Sequence, residues 1–161
     1  MTERQETSQD VVMTRIGQAV MLLHGGDREE ARNRFGALWD EIGEDGAPLQ
    51  RCTLAHFMAD TQDEPGDELA WDLRALTAAE SLSAPGAPAH RDAPAARALC
   101  PSLHVNLAAD YMKLQHPAAA RLHLDRARAA SAVLADDRTD DGYGGGVRAA
   151  IGRLEQRLRE F

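Results

Sequence analysis

The chain is poor in lysine, aromatics, cysteine and long apolar runs, and each shortage narrows what it can be. Of 18 basic residues only Lys113 is a lysine, and with 26 acidic residues the formal charge is −8. A nucleic-acid binder needs a basic face for its phosphate contacts, so that class is set aside. The arginine excess over lysine is given no functional meaning. Aromatics make up 4% of 161 residues while apolar residues reach 43%, a profile rich in Ala and Leu. Small and unbranched side chains suit closely packed helices, whereas a β-sandwich would want more Val, Ile, Thr and Tyr. No run approaches the roughly 20 apolar residues that span a bilayer. The first ten residues, MTERQETSQD, lack the basic-then-apolar plan of a signal peptide. A cytoplasmic protein with no membrane partner is therefore expected, its Cys52 and Cys100 reduced thiols rather than a disulfide.

What is present is helical periodicity. Val12, Ile16, Ala19 and Leu23 step by four, three and four, one apolar stripe that Gly25-Gly26 can end in left-handed geometry. Asp27 is placed to cap a second helix carrying Ala31, Phe35, Leu38 and Ile42. Pro48 and Pro65 suit the first turns of a third and a fourth helix, where a missing N–H costs nothing. The fourth is expected to bury Leu69, Leu73 and Leu76, with Ala70 at the close contact. The stretch from Ser83 to Ala96 reads as a Pro- and Ala-rich loop, and Pro101 as the start or a kink of the next helix. After the break DDRTDDGYGGG, a last helix aligns Val147, Ile151, Leu154, Leu158 and Phe161 on one side.

Between Pro101 and Ala130 the pattern becomes specific. Leu107-Ala108, Tyr111, Ala120, Leu124 and Ala127 fall in the order and spacing of a repeat skeleton, with Ala108 in place of the usual Gly and Leu124 in place of the usual aromatic. The segment resembles a tetratricopeptide repeat. GDREEARNRF repeats the turn and second-helix pattern nearer the N-terminus, and residues 48–82 follow by analogy. The resemblance implies an all-α fold of antiparallel hairpins, about 10–42, 48–82 and 94–134, stacked as a right-handed superhelix. A capping helix at about 146–161 would close a single domain of 1–161. A short coiled-coil seam is the competing role for that helix, which keeps a homodimer open.

In this family the first helix of each hairpin lines a concave groove. The alignment assigns that groove Met13, Ile16, Val20 and Leu23 from the first hairpin, Cys52, Thr53, His56 and Asp60 from the second, and Val105, Asn106, Ala109, Met112 and Lys113 from the third. One end is apolar and the other polar, which suits an amphipathic helix or an extended peptide. The family's carboxylate clamp of Lys, Arg and Asn is matched only at Asn106, so a partner's terminal carboxylate is not the expected ligand. The resemblance implies a non-catalytic adaptor for a protein or peptide, with no cofactor.

Two rival readings rest on the same residues. Cys52 with His56, and Cys100 with His104, are pairs four apart that could supply thiolate and imidazole to a zinc ion, which would make the chain a metal- or ligand-responsive sensor. The simpler account makes both cysteines small buried hydrophobes and His104 a hydrogen-bonded core residue. An acid–base pair of His56 and Asp60 would be the centre of any catalytic reading. It lacks a serine elbow, a phosphate-binding glycine loop or an HExxH around it. His123 is expected to face outward. Trp39 and Trp71 flank apolar stripes and are read as packing between hairpins, with an exposed Trp71 as a partner anchor in the alternative.

Overall fold

The computed structural model describes residues 3–137 and 143–161, with side chains described over 9–134 and 146–161. The described chain is helical throughout: α1 Glu3–His24, α2 Arg28–Ile42, α3 Pro48–Asp60, α4 Pro65–Ser83, α5 Ala93–Lys113, α6 Pro117–Asp137 and α7 Tyr143–Leu158. Local chemistry fixes most of the boundaries. Gly26, at φ 93°, lets Asp27 N–H reach back to the Leu22 carbonyl at 2.9 Å and closes α1. The Asp27 carboxylate then accepts from Glu30 N–H and opens α2. Pro48 and Pro65 occupy the first turns of α3 and α4 as their ring geometry favours. At the end of α5, Gln115 takes the left-handed conformation, φ 63°, and His116 N–H bonds the Tyr111 carbonyl at 2.8 Å.

Several expectations shift. α5 runs through Pro101, which is buried inside it; the ring removes only the bond to the Arg97 carbonyl, and burial of Ala93, Ala96 and Leu103 holds both halves in line. The loop expected at 83–96 shortens accordingly to 84–92. α4 is rotated from its expected face. Leu73 is 37% exposed, while Asp72, Ala75, Leu76, Ala79 and Leu82 point inward. Of the break expected at 136–146, residues 138–142 lie outside the described residues, and Tyr143–Gly146 already belong to α7.

Three apolar clusters follow one another along the molecule. Ile16, Ala31, Phe35 and Leu38 pack with Leu54 and Met58. Cys52, Ala55, Leu76, Ala79, Leu103 and Leu107 form the middle one. Ala108, Met112, Ala120 and Leu124 complete the third with Val147, Ile151, Leu154 and Leu158 of α7. Ala108 and Ala120 are both fully buried, small residues that let α5 and α6 approach closely. Phe161 lies past the end of α7 and is 53% exposed, so the seam stops at Leu158. Trp39 and Trp71 sit between the first two clusters with ring centroids 5.1 Å apart in an edge-to-face contact, the packing role expected of them. Each helix packs on the next. In addition α1 touches α3, α3 touches α5 and α5 touches α7, whereas the backbones of α2, α4 and α6 stay apart among the described residues.

Candidate functional site

Where α3, α4 and α5 meet, polar side chains replace the apolar core. α3 offers His56 and, one turn on, Asp60. From α5 come Asn106, Asp110 and Lys113, each about a turn apart, and from α4 Glu68 and Asp72. The Asn106 amide donates to His56 Nδ1 at 3.2 Å, which leaves the imidazole proton on Nε2. Burial pushes the His56 pKa below its ordinary value, against the opposing pull of Asp60. The imidazole is therefore neutral at pH 7. Lys113 Nζ pairs with Glu68 Oε1 at 2.5 Å. Asp60 is solvent-exposed at the rim, its pKa raised by desolvation in spite of the counter-pull of His56, His24 and Lys113.

Behind this rim lie two carboxyls that water does not reach. Asp72 is 3% and Asp110 2% exposed, and Asp72 Oδ1 and Asp110 Oδ2 have no hydrogen-bond donor among their neighbours. Such atoms are costly unless a proton lies between them. Burial, then hydrogen bonds to Glu68 and Asp72, then the charges of both, raise Asp110 to about 11. Burial also lifts Asp72 to about 7, with the Asp110 hydrogen bond opposing. Glu68 moves the other way. Desolvation would raise it, but the hydrogen bond from Asp110 and the Lys113 ammonium outweigh that and hold it below its ordinary value. The consistent arrangement is a protonated Asp110 donating into an ionised Glu68, with Asp72 titrating near neutrality beside them. The group can accept a cationic side chain at its rim, and it carries one exchangeable proton in its interior.

Of the residues assigned to the groove from the sequence, His56, Asp60, Asn106 and Lys113 come together here. Met13 is 40% exposed on α1 and Val20 half-buried, both away from the acidic group. Thr53 is half-buried and spends its hydroxyl on the Leu49 carbonyl at 2.8 Å. Ile16 and Met112, 2% and 3% exposed, are core residues and not groove-facing, and Cys52 is fully buried. The reason is helical phase: each lies on the stripe its helix turns toward the neighbouring hairpin. Cys52 and Cys100 share the middle apolar cluster, but the four residues of the proposed zinc set do not converge. Cys100 Sγ bonds the Ala96 carbonyl, His56 bonds Asn106, and no cluster of three ligating side chains in metal-binding proximity occurs among the described residues. His104 Nδ1 instead meets His123 Nδ1 at 3.1 Å. His123, expected outside, is 6% exposed and stacks between His104 and Tyr111.

Glu68, Asp72 and Asp110 were not anticipated as site residues. The signal for two of them was present: Asp72 falls between Leu69 and Leu76, and Asp110 follows Leu103 and Leu107, so each carboxylate stands on an apolar stripe. Set against protein-family models, curated proteins and solved structures, the chain matches none of them.

Proposed function

We propose that the chain is a non-catalytic adaptor, a right-handed tetratricopeptide-like stack of hairpins with α7 as its cap, that binds a peptide or helix carrying a basic residue. Close backbone approach among α1, α3, α5 and α7, while α2 and α4 meet only through side chains such as Trp39 and Trp71, supports a groove lined by the odd set. The observation that carries the reading is the acidic group at its centre. Asp60 and Glu68 face a place where Lys113 is the cation paired with Glu68, and a partner's lysine or arginine would compete for the same carboxylates. Asn106 and His56 add a hydrogen-bonding edge, and Met13 and Val20 an apolar end. A ligand-responsive sensor is the second reading, favoured by the proton that Asp110 shares with Glu68 and Asp72, which a bound cation would disturb.

An array of 15-residue peptides with matched hydrophobicity and graded charge tests this. Peptides with Lys or Arg should be enriched over neutral and acidic ones. Asp60→Asn, on an exposed side chain, should weaken the enrichment with the melting temperature close to wild type, and adding Glu68→Gln should abolish it while the far-UV circular dichroism stays helical. Binding indifferent to peptide charge, or unchanged in both the Asp60→Asn and the double variant, would sink the proposal.

A further inference from the structure

Away from the acidic group, the turn between α2 and α3 meets α4 around an open cleft of about 390 Å³. Its walls include Pro48, Leu73 and Ala78, and two arginines, Arg51 and Arg74, stand over it with Glu44 at the edge. Each guanidinium carbon lies over an indole, Arg51 4.2 Å from the Trp39 ring centroid and Arg74 4.3 Å from that of Trp71. The two indoles are themselves in edge-to-face contact. Arg51 also donates to the Gly43 carbonyl. A guanidinium seated over a ring by cation–π attraction still has N–H groups to offer a ligand, and it has already lost part of the rotamer freedom that binding would otherwise cost.

What sets this pair apart is the indole under each guanidinium, in a cleft where neither cation is held by a carboxylate. Arg15, Arg28, Arg32, Arg34 and Arg128 each reach a carboxylate. Arg51 and Arg74 make no ion pair among the described residues, although acidic side chains outnumber basic ones by 26 to 18 in this chain. The cleft between α6 and α7 also holds arginines, but there Arg128 reaches Asp125 and Glu155, and neither Arg121 nor Arg159 lies on an indole. Leu73 is left 37% exposed in the cleft of α4, an apolar surface beside two unpaired cations.

We infer that this cleft is a binding site for a small organic anion, with a carboxylate or phosphate-ester head between Arg51 and Arg74 and an aliphatic or aromatic body against Pro48, Leu73 and Ala78. The volume lies within the range of small-molecule pockets, roughly 300–1,000 Å³. Planar guanidiniums favour carboxylate and phosphate oxygens, which they can hold in bidentate fashion.

Octanoate, octyl phosphate, octylammonium and inorganic phosphate are the probes, all below micelle-forming concentrations. Binding is read by saturation-transfer NMR on the ligand and by tryptophan fluorescence, which is local here because Trp39 and Trp71 are the only two tryptophans. The expected result is saturable binding of octanoate or octyl phosphate, with octylammonium and inorganic phosphate at least tenfold weaker. Preference between the two organic anions identifies the head group. Arg74→Gln, on an exposed side chain, should weaken the organic anion about tenfold with the melting temperature unchanged, and adding Arg51→Gln should remove binding. Equal binding of octylammonium, phosphate alone binding as tightly, no signal from either anion at 10 mM, or an unaffected Arg74→Gln variant would each overturn the assignment.

Discussion

Replacing Asp110 by Asn should stabilise the protein at neutral pH, an unusual direction for a change at a 2% exposed position. A free aspartate ionises at 3.8, and Asp110 in the fold is held protonated far above that. Keeping a proton at pH 7 on a group that would release it in the unfolded chain costs about 4 kcal/mol, at about 1.4 kcal/mol per pH unit. Asparagine has nearly the same shape and donates from its amide to Glu68 and Asp72 without that cost. An imperfect hydrogen-bond fit would return about 1–2 kcal/mol. The net gain is then about 2–3 kcal/mol, or about 4–12 °C in melting temperature for a chain of this size. The sign with pH is equally definite. A folded pKa raised above the unfolded one gives stability that is complete below pH 3.8 and drains away as pH rises toward 11. Wild type should therefore lose about 1.4 kcal/mol per pH unit between pH 7 and 8.5 by urea denaturation, and Asp110→Asn should be nearly flat. A destabilised Asn variant, or equal slopes in the two proteins, would show that Asp110 is ionised and refute the shared-proton arrangement.

The stacked histidines should act in the opposite sense. Burial first, then His123 and Arg126, lower His104 to about 4 from 6.5, so the unfolded chain takes up protons first. Stability is lost as pH falls from 6.5 toward 4, by up to about 3 kcal/mol. His104→Gln keeps a hydrogen-bonding group that cannot titrate. Its unfolding free energy relative to wild type should rise between pH 7.5 and 4.5, and a constant difference would mean that the pair protonates freely in the fold. Ala120→Leu should cost roughly 1–3 kcal/mol by overpacking the α5–α6 crossing, since Ala108 and Ala120 are both fully buried there; an unaltered thermal melt would mean that the helices do not cross at these residues. Truncation after Asp141 removes Val147, Ile151, Leu154 and Leu158, each worth roughly 1.5–3 kcal/mol, and bares Met112 and Leu124. The shortened protein should aggregate or melt much earlier in light scattering and calorimetry, and a monomer with an intact melt would make α7 a detachable docking element.

Helix positions were legible because they are signalled locally. Gly25-Gly26, Asp27, Pro48 and Pro65 act within one turn, and each boundary they mark is found. Which face of a helix is buried depends on its neighbours, and there the sequence misleads in a consistent way. On α4 the larger Leu73 invites burial, but the close approach of α3 and α5 selects Ala75 and Ala79, leaving Leu73 at the surface. Pro101 misleads for a related reason: one lost hydrogen bond is a small cost against the burial of both halves of α5. His123, Asp72 and Asp110 share a single cause. Each occupies an apolar stripe at three- or four-residue spacing, His123 beside Ala120, Leu124 and Ala127, yet polarity argues for the outside. Pairing across helices decides otherwise, and a partner 19 residues away, as His104 is from His123, leaves no local trace.

The position of the rule-breaking carboxyls is informative beyond the fact of their burial. Sequence choices that violate local rules at a stability cost concentrate where function demands them. Asp72 and Asp110 stand directly behind Glu68, the residue that holds Lys113, so any cation competing for Glu68 alters the hydrogen bond that Asp110 donates to it. A purely structural pair would be improved by Asp110→Asn at no cost to peptide binding. A pair that tunes Glu68 would lose basic-peptide affinity in the same variant, since an amide cannot release a proton when a cation arrives. Measuring stability and peptide affinity together on this one substitution therefore separates an idle buried acid from a working part of the groove.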